Sequence, residues 1–567
     1  MGVRELYSKF ADALRSGERS GIEPVFEELN TLVLPGEFNW VGDVLEPQYG
    51  GSSQTALIYR NLQSGQEEKV SYSELLRRAD ALVELLRGKG VKRGDAVYLM
   101  TPVIPEQWYS LLAVFKAGFM GVPSATNLTS YELRYRFSEL RPRAVIADPE
   151  SAPKIDDALG SLDCVKLLVS GRREGWLSLD KALGDASGVK AEATSPDEPV
   201  LSYFTSGTTG MPKRVIHTAS SYPLGHMTTA AAIGLKPGGL HCNLSAPGWA
   251  KFAWSSFFSP LIAGSSVLAV DYRGRLDPQR YLEVLDEYGV NTFCAPPTAW
   301  RQFVLCDLGK LRLDSLRGVV SAGEPLNPEL VRTWRRRFGV PIRDFYGQTE
   351  TTAMIANMPW DDVVEGSMGR PIPHYDVVLL DDDYGLITKP NVVGVIAVRL
   401  SRWRPKALFS HYSDEAKNRE AFVGGYYVTG DKAYFDSEGH WFFVGRADDV
   451  IKSADYRIGP FEVESALLEH PAVAEAAVVG SPDPMRWQVV KAYIVLKPGY
   501  QPSQELATQI HDHVQRLLMK PKAPRIIHFV AELPKTISGK IRRNVLRQEE
   551  EERRGKGERA QQEYFFN

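Results

Sequence analysis

With 567 residues the chain exceeds one compact core and calls for at least two domains. Apolar residues make up 43% and charged residues 24%, the balance of a globular protein, and Lys plus Arg (67) nearly cancels Asp plus Glu (70). The resulting charge of −3 excludes a global attraction to nucleic acid or to an anionic membrane. Cys164, Cys242, Cys294 and Cys306 are scattered without a CxxC pair and read as reduced thiols of a cytoplasmic protein. The N-terminus lacks the apolar run of a signal peptide, and YFFN at the other end is no peroxisomal address. The longest apolar stretch, near Leu111 to Val122, is broken by Lys116 and falls short of a membrane span.

In chain order, SELLRRADALVELLRG (Ser73 to Gly88) sets Leu75, Leu76, Ala79, Leu82, Val83 and Leu86 on one helical face. A buried strand follows at Ala96 to Met100. The middle of the chain repeats this alternation: strand SSVLAV (Ser265 to Val270), helix PQRYLEVLDEYG, strand NTFCA from Asn291, and a helix near Ala299 to Leu308. Strand RGVVSA, helix PELVRTWRRRFG and strand IRDFY continue it. Such alternation predicts an α/β fold with substantial parallel sheet, its ligand loops at the strands' carboxyl ends. Those loops are SAGEP (Ser321 to Pro325) and GQTET (Gly347 to Thr351). After the charged GRADDVIKS at 445–453 comes a small α+β module, PFEVESALLEH through RIIHFV, ending near residue 547. The charge-dense tail Glu549 to Gly557 predicts a frayed helix.

YFTSGTTGMPKRV (Tyr203 to Val215) has the glycines, hydroxyls and lysine of a phosphate cradle. It is not a Walker loop, because only Thr208 and Thr209 separate Gly207 from Gly210, and Arg214 rather than a hydroxyl follows Lys213. Thr205, Ser206, Thr208 and Thr209 still offer hydroxyl and amide donors, and the two glycines let N–H groups turn inward. A solvated Ser/Thr turn is the alternative for this segment taken alone.

Five segments in order resemble those of the adenylate-forming enzymes, the acyl-CoA synthetases, peptide-synthetase adenylation domains and luciferases. They are TSGTTGMPK from 205, SAGEP from 321, YGQTET from 346, YVTGD from 427 with GRADDVIK from 445, and PKTISGKIRR from 534. GWAKFAWSSFFSPLIAG (Gly248 to Gly264) and YRIGPFEVESALLEHPAV look most like the medium-chain acyl-CoA synthetases. The resemblance implies a large N-terminal domain of stacked sheets (1–447) and a small mobile α+β lid (448–567), hinged at Asp448. It implies ATP, Mg²⁺ and CoA, with a carboxylic acid as the second substrate, and it leaves a homodimer open. In it, Thr205 to Gly210 and Lys213 hold the departing phosphates, while Gly323, Glu324, Pro325, Tyr346 and Gln348 surround the adenine. Thr349 touches the α-phosphate, Glu350 holds Mg²⁺, Asp431 receives the ribose hydroxyls beside Arg446, and Arg457 lies near the adenylate phosphate. Lys540 is brought onto the carboxylate–phosphate junction, where one desolvated cation contributes several kcal/mol. Trp249 and Gly347 line the acyl pocket, and Tyr456, Gly459 and Arg486 meet CoA after the lid rotates. The structural alternatives are a buried Arg ion pair for Glu350, a turn for Asp431, a core position for Trp249 and a surface lysine for Lys540.

Two positions depart from the family. Ala454-Asp455 stands where relatives usually have Ser-Gly, and Trp487 follows Arg486 where they usually have glycine. Acetate-specific relatives carry a tryptophan at the position of Gly347, so longer, branched or cyclic acids are expected to fit here. The expected activity is AMP-forming acyl-CoA synthesis on a medium-chain, branched or aromatic acid. The alternatives are transfer to a carrier protein's phosphopantetheine, or a homologue that binds acyl groups or nucleotides without turnover.

Overall fold

The computed structural model describes residues 2–205, 212–453, 456–536 and 539–566, with the backbone but not the side chain of Arg457. Two large sheets organise most of the chain. In the first, of nine strands, Ile342–Tyr346, Gly318–Ala322, Thr292–Ala295, Leu240–Asn243, Ser266–Asp271 and Thr55–Asn61 lie side by side, all parallel. The second, of eight strands, has a parallel centre containing Met120–Pro123, Ala96–Met100 and Ala144–Ala147.

Between the sheets runs the helix Ser221–Ile233, every residue of which is buried. It is apolar or small all round, as a helix covered on every side must be. One core cluster joins its Leu224, Met227 and Ile233 to Val97 and Leu99 of one sheet and to Val320 and Phe345 of the other. The predicted amphipathic helix is Tyr72–Gly88, opened by Ser71, whose hydroxyl accepts the Glu74 N–H; its six predicted core residues are all buried. The helix expected at Ala299 to Leu308 is shorter, Pro297–Phe303. A third sheet, six-stranded, pairs its long strand Tyr426–Phe435 antiparallel to Trp441–Arg446.

A smaller C-terminal unit follows, its sheet built from six strands between Ile451 and Phe565 and backed by Pro460–Leu468 and Gln504–Leu517. Here the tail departs from expectation. Arg543–Gly555 is a docked helix, and Glu563–Phe565 adds a further strand antiparallel to Ile526–Phe529. The reason is ionic and invisible to a hydrophobic pattern: the side chains of Lys491, Glu550 and Glu563 are 0% exposed and paired with one another. Arg554 and the Ser481 hydroxyl complete the group. The four cysteines are free thiols, and among the described residues no helix is long and apolar enough to cross a membrane.

Candidate active site

Three loops at strand ends converge. Ile342–Tyr346 runs into Gly347–Thr351, whose turn is braced by the Gln348 N–H donating to Thr351 Oγ1 at 2.9 Å. Asp431, 9% exposed, lies on the neighbouring sheet. Its Oδ2 accepts from the Tyr346 hydroxyl and from Gln348 Nε2, each at 2.6 Å. Burial raises its pKa, countered by the Tyr346 hydrogen bond and by the charges of Arg446 and Lys540. Arg446 is its cross-strand partner, fixed by the ladder between Tyr426–Phe435 and Trp441–Arg446. A free-standing turn, the structural alternative for Asp431, does not describe a buried carboxylate within a strand.

Glu350 has no arginine partner among the described residues. Its Oε1 accepts from the Tyr412 hydroxyl at 2.7 Å. Burial raises its pKa, while the Tyr412 bond pulls the other way. Next to it the Thr349 carbonyl accepts from His217 Nε2 at 2.7 Å and from Tyr222 at 2.5 Å. Burial drives the His217 pKa down to about 3, so the ring is neutral near pH 7 and carries its proton on the nitrogen facing the carbonyl.

The strands Pro199–Thr205 and Lys213–Thr218 are antiparallel, with Thr205 opposite Lys213. The glycine-rich segment therefore joins two strands of a hairpin, whereas a Walker loop joins a strand to a helix. Ser206, Gly207, Thr208, Thr209 and Gly210 lie outside the described residues, as do Ala454 and Asp455 and the side chain of Arg457. Lys213 is paired with Asp414 at 2.8 Å.

Lys540 is exposed and belongs to the C-terminal unit, where the Thr536 N–H donates to its carbonyl at 2.7 Å. Its charge nevertheless bears on Asp431 and on Lys251, both in the N-terminal part. Lys251, two residues after Trp249, was not singled out from the sequence. Its Nζ is buried without a hydrogen-bond partner among the described residues, and burial lowers its pKa, with Cys294 and Glu324 opposing and Lys540 adding to the effect. Glu324 of SAGEP stands 3.9 Å from Arg301, and Gly323 is left-handed at φ 96° with open space before it.

Gly347 is tightly packed. A Cβ at 347 would lie 2.1 Å from the Thr352 carbonyl oxygen and 2.8 Å from the indole tip of Trp254. Glycine is required by packing, and the room a large side chain would have filled is taken by Trp254 from another element. That indole is 5% exposed and donates to the Tyr222 hydroxyl at 3.1 Å, which in turn donates to the Thr349 carbonyl. Trp249 is half-buried and precedes the short helix Ala250–Phe252, so it is not an ordinary core tryptophan. Of the CoA set, Gly459 lies against the third sheet: a Cβ there would meet the Val444 carbonyl at 2.3 Å. Tyr456 is 44% exposed and Arg486 half-buried. Asp448 is held from both sides, its carboxylate by Arg446 at 3.2 Å and its carbonyl by Arg547.

Glu350 thus follows the strand Ile342–Tyr346, whose Tyr346 hydroxyl donates to Asp431 on the neighbouring sheet at 2.6 Å. The AMP-binding enzyme family matches residues 48–402, and its C-terminal domain matches 462–540. The chain belongs to this family and is an acid–thiol ligase. It is 56% identical to 4-hydroxybutyrate–CoA ligase 1 of Metallosphaera sedula, over 100% of both chains. It is 40% identical to the mitochondrial acyl-coenzyme A synthetase ACSM3 of Rattus norvegicus, over 92% of each. Among solved structures, the anthranilate CoA ligase AuaEII in complex with anthranoyl-AMP superposes with a TM-score of 0.83 at 30% identity, covering 92% of this chain and 98% of that one.

Proposed function

We propose that the chain joins a short carboxylic acid to CoA through an acyl-adenylate, with 1–447 holding ATP and acid and 448–567 turning about Asp448 between the half-reactions. The observation that carries this reading is the buried Asp431 carboxylate, held by the Tyr346 hydroxyl and Gln348 Nε2 at 2.6 Å each beside the Gly347–Thr351 loop. In the first half-reaction an acid oxygen attacks the α-phosphorus and pyrophosphate departs. Lys540 neutralises charge at that junction with Lys251 behind it. Lys213 exchanges Asp414 for the leaving phosphates, and Asp431 accepts the ribose hydroxyls, its Tyr346 and Gln348 donors fixing its plane. Thr349 is oriented at the α-phosphate by the two donors on its carbonyl. A single desolvated carboxylate with a neutral phenol partner suits Mg²⁺, which takes one or two protein oxygens and fills its shell with phosphate and water. Glu350 would hold it, and the ion would neutralise phosphate charge. In the second half-reaction the CoA thiol attacks the acyl carbonyl and AMP leaves.

For the acid, Trp254 closing the space beside Gly347 supports a chain of about four carbons, and the 4-hydroxybutyrate ligase among the relatives agrees with that size. A wall of this kind discriminates by about 1–3 kcal/mol per methylene. CoA-ester formation across acetate to decanoate, with 4-hydroxybutyrate and benzoate, is expected to peak near four carbons. A peak at octanoate or beyond contradicts the Trp254 wall, and no CoA ester from any acid overturns the reaction.

A further inference from the structure

Trp254 meets the segment 345–351 in two ways. By packing, its indole tip closes on Gly347, where a Cβ would come within 2.8 Å of it, and its ring lies near-parallel to Phe345, centroids 6.4 Å apart. The second hold is polar and indirect. The indole N–H donates to the Tyr222 hydroxyl at 3.1 Å, and that hydroxyl donates to the Thr349 carbonyl at 2.5 Å. Trp254 sits in Ala253–Phe258, a π-helical segment, whose wider turn shifts side chains off the α-helical register and which recurs at functional sites. Tyr222 comes from the first turn of the helix Ser221–Ile233 and is 0% exposed, with the His217 ring against it, centroids 3.7 Å apart.

A buried phenol has one proton to give, and here the Thr349 carbonyl takes it. That carbonyl has two lone pairs, met by Tyr222 and by His217 Nε2. The Tyr222 proton is held on it more firmly while the phenol oxygen accepts from the indole, because chained hydrogen bonds polarise one another. Turning the indole aside breaks the 3.1 Å bond, and the loss passes on to Thr349. Gln348 is clamped separately, by the Tyr427 hydroxyl at 2.8 Å and the Thr429 carbonyl at 3.0 Å, so displacement falls on Thr349. We propose that Tyr222 is a positioning and specificity-determining residue, whose hydroxyl couples the fit of the acid against Trp254 to the placement of Thr349 at the α-phosphate. An acid that leaves the indole in place keeps the loop set for adenylation. One that pushes the indole aside loses turnover as well as binding. This rests on the reading above, in which Trp254 bounds the acid and Thr349 meets the α-phosphate.

The test is pyrophosphate exchange by the full-length enzyme with butyrate and with octanoate, kcat and KM taken separately, in the wild type, Y222F, W254F and the double variant. Y222F keeps the ring and removes the shared hydroxyl. It is expected to lower kcat with butyrate about tenfold while KM for each acid stays within about twofold. The kcat preference for butyrate should therefore shrink toward one while the KM preference remains. A tyrosine with a merely structural role would lower kcat equally for both acids, and that result overturns the coupling. W254F removes the N–H of the same chain of bonds, so the double variant is expected to be no slower with butyrate than the slower single variant. Falls in kcat that multiply overturn the coupling as well. A wild type without preference for butyrate over octanoate overturns the Trp254 wall itself, and the coupling with it.

Discussion

Glu350 and Tyr412 are 62 positions apart, yet their hydrogen bond sets when the carboxylate ionises. The raised pKa means that the folded protein binds this proton more tightly than the unfolded chain. Its contribution to stability therefore diminishes as pH rises from the ordinary carboxylate range through the raised value. Catalysis needs the ionised form, so the acid limb of kcat/KM for ATP is expected above the usual glutamate range. Tyr412→Phe removes the bond that favours ionisation and should move that limb up by about half a unit to one unit. A pH–rate profile checks this, and an unmoved limb would assign it to another group. At Trp254, substitution by glycine is expected to shift the preferred acid toward six to eight carbons while lowering the melting temperature, since about 2–4 kcal/mol of buried aromatic packing is lost. Glu350, Asp431 and Lys540 stand in short segments that the sequence itself marks. Tyr412, His217, Tyr222 and Trp254 do not, because each acts through a partner distant in the chain and none sits in a motif of fixed spacing.

Secondary structure was most legible where a period was strong. Tyr72–Gly88 and the middle strands follow the apolar alternation almost residue for residue, because burial in the hydrophobic core imposes it. The tail Glu549 to Gly557 reads as frayed, yet it belongs to the docked helix Arg543–Gly555 because what docks it is charge: Lys491 contacts Glu550 and Glu563, Arg554 bridges both, and Ser481 donates to Glu550 at 2.6 Å. Burial opposes ionisation of Glu550, but the Lys491 and Ser481 hydrogen bonds outweigh it and hold the pKa below its ordinary value. Removing one partner leaves buried carboxylates short of charge, at a cost of about 3–5 kcal/mol. Lys491→Met should accordingly lower the denaturation midpoint of the C-terminal unit. A midpoint within error of the wild type would show that the cluster contributes nothing.

Across the whole molecule, two arginines converge on Asp448. Arg446 holds the Asp448 carboxylate from the N-terminal side, and Arg547 reaches back from the last helix to its carbonyl and to Asp449, the latter at 2.9 Å. Arg547 thereby ties the Asp448–Asp449 turn to the last helix. Arg547→Met is expected to reduce pyrophosphate exchange about three- to tenfold without slowing acyl transfer from a supplied adenylate, as two stopped assays would report.

The two-unit account is tested most directly by Lys540→Ala measured in each half-reaction. Pyrophosphate exchange should fall at least about a hundredfold, the loss of one preorganised cation at the transition state. Formation of acyl-CoA from supplied acyl-adenylate should stay within about threefold of the wild type, since the lysine has then rotated away. Exchange at the wild-type rate, or equal loss of both halves, would contradict the account.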